Sequence, residues 1–210
     1  MKYTRIADIN QVIDPAVTNI IDTYVLLRSY DTSFRTWAVR DGRSYTKPNP
    51  PTISELTETF TSLETKKSIS DQIIYRPVKY KILFGDLANP ELQAKFNITK
   101  TSNATMSDVE IKQQTITLIN EFFSIENWDF GETFYFTELA AYVHNNMIGQ
   151  ISQITISSVS NPEDLNSLYE IQADSDELFV PVLSIGNFVI TNTVIANATS
   201  IAANTGVSTR

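Results

Sequence analysis

Glu126, Asp129, Glu132 and Glu138 fall within 13 consecutive positions, and His144, the only histidine of the chain, follows shortly after. Carboxylates set beside apolar groups can titrate high and act as general acid or base, with a histidine to move the proton. The stretch that carries them, ENWDFGETFYFTELAAYVHNN (residues 126–146), also holds six aromatic rings, four of them between Phe130 and Phe136. Two chemistries compete for it. One is a small acid–base hydrolase using Glu126, Asp129 or Glu132 with His144. The other is a hydrophobic brace that carries its charge on the outside.

Supporting signals for the hydrolase are missing. Catalytic carboxylates converge on a cleft from separate elements, whereas acids at a helix start, where Glu132 and Glu138 fall, are expected from the helix dipole. His144 stands one position past the apolar face of that helix, which suits a surface or end-of-helix role. The chain has no cysteine and no second histidine, so a zinc site would need carboxylate or water in three positions. No G-x-S-x-G, G-x-x-x-x-G-K-[ST] or G-x-G-x-x-G pattern occurs among its six glycines, which removes the usual nucleophile elbow and phosphate-cradling loops. Asp41-Gly42 lacks the Asp/Asn ladder of a calcium loop. These grounds assign no catalytic, metal or cofactor-binding residue, and the chain is expected not to be an enzyme.

The elements that must position the stretch belong to a chain of 210 residues, long enough for one large or two small domains, with 42% hydrophobic residues to build a core. The start, MKYTRIADINQ, has no apolar core of a secretory signal, and no apolar run approaches the roughly 20 residues of a membrane helix. The sequons at Asn97, Asn103 and Asn197 read as chance. The net charge of −8 is unevenly placed: residues 1–51 carry seven Lys/Arg against five Asp/Glu, while residues 113–209 hold eleven Asp/Glu and no Lys or Arg. Such a segment repels phosphate, so nucleic acid is not an expected partner, and no membrane insertion is expected. It suits either a solvated acidic surface or docking of a basic surface, on a partner or on the N-terminal part of another copy.

Local patterns predict an α+β fold. TNIIDTYVLLRSYD suggests a buried strand over about 19–27, and Asp41-Gly42 a turn. Pro48, Pro50 and Pro51 predict an extended linker, because each fixes its backbone and removes a donor. Thr52 and Glu55 form a capping box, followed by Ile53, Leu56, Phe60 and Leu63 on one helical face, with Lys66 and Lys67 at the negative end of the dipole. Two alternating runs, Val78-Tyr80-Ile82-Phe84 and Leu92-Ala94-Phe96-Ile98, flank a turn at GDLANP and predict an antiparallel hairpin with one wet face. Ser107 and Glu110 open a second helix, with Val109, Ile116, Ile119 and Phe123 as its stripe, widened by Leu118 and Phe122. Further strands are predicted in QISQITISS and LFVPVLSIGNFVIT. The order matches a ferredoxin-like split β-α-β sandwich with an inserted helix and an extended C-terminal tail. The expected divisions are an N-terminal strand and linker arm (1–50), an α+β core (51–185), and a C-terminal strand with a low-complexity tail (186–210).

In the inserted helix, Phe136, Leu139, Ala140, Val143 and Met147 form one stripe ending near Asn145-Asn146. Phe134, Tyr135 and Tyr142 lie off it, and Trp128, Phe130 and Gly131 precede it in a loop that must fold back. Rings on two faces need two surfaces to cover them: the core, and a partner, since aromatics are enriched at interfaces. Trp128, Phe130, Gly131, Phe134, Tyr135 and Tyr142, with Phe34 and Trp37, are therefore the candidate assembly residues. A receptor- or glycan-binding module, with exposed rings among Asn and Asp, is the alternative from a different class.

NWDFGETFYFTELAAYVH resembles a hallmark segment from the C-terminal region of a baseplate wedge protein of T-even-type contractile-tail bacteriophages, the gene product six type, related to the baseplate J-like group. TNIIDTYVLLRSYDTSFRTW, SISDQIIYRPVKYKILFG and ANPELQAKF resemble the same family in the same order, so the likeness spans about residues 15–185. It implies a structural protein of the virion tail baseplate, assembled in the host bacterial cytoplasm, with no catalytic residue to carry over. It also implies a homodimer within each wedge and a higher-order inner ring around the central hub. Contacts with other wedge subunits, and a rearrangement when the sheath contracts, are implied as well. Members of the family are much longer than this chain, which corresponds to their C-terminal portion, and the tail after about residue 190 has no counterpart in the likeness.

Overall fold

The computed structural model describes residues 2–3, 20–39, 46–64, 72–161 and 168–192. Mixed helices and strands make an α+β fold, as the local patterns predict. In chain order the strands are β1 (Lys2–Tyr3), β2 (Ile20–Val25), β3 (Gln72–Pro77), β4 (Lys79–Leu83), β5 (Ala94–Lys100), β6 (Thr133–Tyr135), β7 (Ile151–Ser158), β8 (Glu170–Gln172), β9 (Glu177–Pro181) and β10 (Phe188–Asn192). The helices are α1 (Arg28–Val39), α2 (Ile53–Glu64), α3 (Asp108–Phe122) and α4 (Phe136–Asn146).

Both predicted capping boxes form. The Thr52 amide donates to the Glu55 carboxylate at 2.7 Å, and the Glu55 amide to the Thr52 hydroxyl at 3.3 Å. The same exchange joins Ser107 and Glu110, and these backbone donations hold both glutamate carboxyls below their ordinary range. The α4 stripe is also as predicted, with Phe136, Leu139, Val143 and Met147 buried and Ala140 partly so. Two other stripes shift. On α2 only Leu56 is buried, with Phe60 against Tyr75, while Ile53 and Leu63 face solvent. The helix packs mainly on β3, and Leu56 alone joins the small cluster with Val25 and Tyr75. On α3 the buried face is Ile111, Thr115, Leu118 and Ile119, and Val109 is exposed. Helix α1 was not predicted, although Tyr30, Phe34, Trp37 and Ala38, its buried residues, repeat at helical spacing.

The predicted hairpin does not form. Strand β4 pairs in parallel with β9, and β5 lies between antiparallel β7 and parallel β10; only a bridge between Phe84 and Gln93 links the two runs. The alternation itself holds, with Ala94, Phe96 and Ile98 buried and Lys95, Asn97 and Thr99 half-buried. The turn between the runs explains the change of partner. Phe84 has φ +75°, an uncommon conformation for a bulky residue, held by Phe84 N–H donating to Leu92 O at 3.0 Å and by Ala94 N–H donating back at 2.8 Å. At Gly85 an added Cβ would lie 1.5 Å from the Val182 carbonyl oxygen, so the chain after β4 runs tight against the segment that follows β9. Strands β9 and β10 take the places beside β4 and β5 that a hairpin would have filled.

The ferredoxin-like arrangement is corrected on the same observation. In place of one four-stranded antiparallel sheet, the described strands form four small sheets: β1-β2-β3, β10-β5-β7, β4-β9 and β6-β8. Late strands β9 and β10 join the early strands β4 and β5. One main core draws residues from α1, β4, β5, α3, β6, α4, β7, β9 and β10, and a small one consists of Val25, Leu56 and Tyr75. Tyr24, Tyr30, Phe34 and Trp37 belong to the main core. The Asp41-Gly42 turn, the Lys66-Lys67 pair and the tail after residue 192 lie outside the described residues.

Candidate assembly groove

The groove starts where α3 ends. Its last-turn carbonyls need donors, and the loop that follows supplies them: Asn127 Nδ2 donates to Glu121 O at 3.0 Å and Trp128 Nε1 to Phe122 O at 2.7 Å. These bonds fold the loop back, as the sequence requires, and lay Trp128 on Phe123 with centroids 5.2 Å apart and planes 20° apart. The Asp129 amide donates to Glu132 Oε2 at 3.1 Å. Gly131, at φ +75°, then turns the chain into β6, its N–H donating to Glu177 O. At that angle a side chain is strained, and an added Cβ would also lie 3.2 Å from Ser175 Cα.

Strand β6 pairs antiparallel with β8 and presents its residues alternately. Phe134 points into the core and is fully buried, while Thr133 and Tyr135 point out. Phe134 meets Phe84, Phe122, Phe123, Trp128 and Phe179 at centroid separations between 5.3 and 6.5 Å. On α4, Tyr142 reaches back to α3, its ring 5.6 Å from Phe122 and its hydroxyl 3.4 Å from Glu121 Oε2. Partial burial and the neighbouring Glu121 charge push the Tyr142 phenol above its ordinary range, so it stays protonated and donates.

Between these elements lies an open groove of about 610 Å³. Trp128, Tyr135, Tyr142 and Phe122 give it aromatic walls, and Glu132, Glu138, Asn127 and Thr133 give it a polar rim. Of the candidate assembly residues, the structure brings Trp128, Tyr135 and Tyr142 together here. Phe130 and Gly131 are half-buried in the loop beside it, and Phe134 is core beneath it. Phe34 and Trp37 are buried elsewhere, in the cluster of α1 and β4. Helical spacing on α1 turns both rings inward.

Sequence reasoning did not place Phe122, Asn127 and Thr133 at the site. Asn127 and Trp128 carried a readable signal, since donors just past a helix end often cap it. Glu126, Asp129 and His144 are exposed and line no part of the groove. Among the described residues no group of three His, Asp or Glu side chains is placed to hold a metal ion, and no helix is long and apolar enough to cross a membrane.

A second aromatic site lies at α1. Asp31 accepts from Arg35 Nε at 2.6 Å and from the Tyr80 hydroxyl. Burial and the hydrogen bond to Asp31 push the Tyr80 phenol far above its ordinary range. The Arg35 guanidinium stands 5.6 Å from the centre of the Tyr80 ring, and Lys47 Nζ 5.6 Å from that of Phe34. A second open hollow, of about 620 Å³, lies between Tyr30, Leu27 and the Pro48–Pro51 segment.

These features define an acidic α+β protein with an aromatic groove at the junction of two helices and a short strand. No protein-family model and no curated protein matches the chain.

Proposed function

We propose that this chain is a structural subunit of a contractile-tail phage baseplate wedge, self-associating to build the inner ring around the central hub. On this reading it resides in the virion, contacts other wedge subunits and changes arrangement when the sheath contracts. The observation that carries the assembly reading is the groove. Phe122, Trp128 and Tyr142 pack on the aromatic core, yet together with the exposed Tyr135 they leave an open ring-lined groove on one side. Rings gathered at a groove in this way support an interaction site, because aromatics are enriched at interfaces. The four segments that resemble the wedge family supply the baseplate assignment.

Sedimentation of the full 210-residue chain at micromolar concentration tests it. The expected result is a mass at least twice the 23.6 kDa of one chain; a single species of one-chain mass at every concentration overturns self-association. Glycan binding is the second reading, favoured by Asn127 beside three exposed or half-exposed rings.

A further inference from the structure

We propose that the groove binds an arginine-bearing segment of a partner polypeptide, with the guanidinium lodged between the rings and the rim carboxylates. This rests on the reading of the groove as an assembly surface and adds the chemistry of what it accepts.

Three observations converge on a cation. Trp128, Tyr135 and Tyr142 line the groove, and aromatic rings attract cations through the negative part of their quadrupole. Glu132 and Glu138 stand on its rim, and Glu121 sits at the Tyr142 hydroxyl. Finally, several cations of the described residues are engaged elsewhere. Lys79 pairs with Asp176 at 3.0 Å, Lys81 with Glu177 at 3.1 Å and Lys100 with Asp108 at 3.2 Å. Among the described residues no ion pair reaches Glu121, Glu132 or Glu138. Residues 113–209, which build the whole groove, contain no Lys or Arg.

A neutral sugar could stack on the rings and bond to Asn127, but it would gain nothing from the charge of these carboxylates. An anion would be repelled. Arginine suits the site better than lysine because its planar group stacks on an aromatic face while its fork meets a carboxylate. A volume of about 610 Å³ admits several side chains of an extended segment.

The test follows the indole N–H resonance of Trp128 in the full chain, assigned with Trp128→Phe, during titration with four probes. These are a peptide of alternating arginine and serine, its lysine and glutamate counterparts, and chitotriose. The expected result is a saturable shift with the arginine peptide, weaker binding of the lysine peptide, and loss of affinity as salt rises. The Glu132→Gln/Glu138→Gln variant keeps an acceptor for the Asp129 amide, and its affinity is expected to fall about tenfold, roughly threefold per exposed carboxylate, at unchanged melting temperature. Equal response to the glutamate peptide overturns the proposal, as does a response to chitotriose alone or wild-type affinity in the double variant.

Sedimentation separates this outcome from that of the assembly reading. A monomer that binds the arginine peptide removes self-association and leaves the groove's chemistry. An oligomer overturns the groove's chemistry if its Trp128 ignores the peptide and the double variant leaves its mass unchanged.

Discussion

The two aromatic clusters of this protein are built from similar rings and held by different forces. Around Phe134, the rings of Phe84, Phe122, Phe123, Trp128 and Phe179 pack edge-to-face or stacked with no charged group among them. Around Phe34, the rings of Tyr30, Trp37 and Tyr80 lie 4.7 to 5.8 Å away, and Asp31, Arg35 and Lys47 surround them. The first cluster is ordered by shape, the second by shape and a charge network. The first is contributed by distant segments and ends in an open groove. In the second, the charged pair comes from one helix, with Asp31 and Arg35 one turn apart. The first cluster leaves ring surface open at the groove, whereas the second spends its polar groups on itself.

The largest effect is expected where shape alone acts. Phe134→Ala removes a fully buried ring and should destabilise the fold by about 3–5 kcal/mol, read as a fall in midpoint during denaturant unfolding. An unchanged midpoint would remove the brace from the account. Gly85→Ala probes the turn beside Phe84, which aligns that ring with the cluster. Its Cβ would collide with the Val182 carbonyl, part of the backbone and unable to swing aside, so a loss of about 3 kcal/mol is expected. Wild-type stability in this variant would show that the β4 and β9 segments do not approach so closely.

The smallest effects sharpen the polar side of the comparison. Tyr80→Phe leaves Asp31 short of a buried partner and should cost about 1–2 kcal/mol, whereas Tyr142→Phe, at a longer and exposed contact with Glu121, should cost about 0.5 kcal/mol or less. Equal costs would erase the distinction. The pH dependence has a definite sign. Folding raises the Tyr80 phenol above its ordinary value of 10.0. The folded state therefore holds that proton more tightly, and the gain is complete below pH 10 and lost as pH rises through the folded value. Wild-type stability should fall relative to Tyr80→Phe above about pH 10 in unfolding curves.

Much of the local structure was legible. The two capping boxes needed only residues three positions apart, and the α4 stripe needed only its own spacing. The burial alternation of β5 was equally readable. The site was legible in part: of the rings off the α4 stripe Tyr135 and Tyr142 line the groove with Trp128 of the preceding loop, while Phe134, also off the stripe, is core. Phe34 and Trp37 did not follow, because their helix was missed and with it the turn of their side chains toward the core.

The sequence by itself determined which side chains are buried along α4 and β5, because that follows from a periodicity internal to a few residues, whereas the buried faces of α2 and α3 depended on what each helix packs against. The sequence determined the chain's charge asymmetry in the same direct way. Only the tertiary structure decided which strand lies beside which. The alternating runs at β4 and β5 could bury their apolar faces equally well against each other or against later strands, and β9 and β10 took those places. The groove was decided at the same level. Whether Trp128 or Phe134 faces water depends on where α3, β6 and α4 meet, a balance of contacts among segments that no local pattern contains.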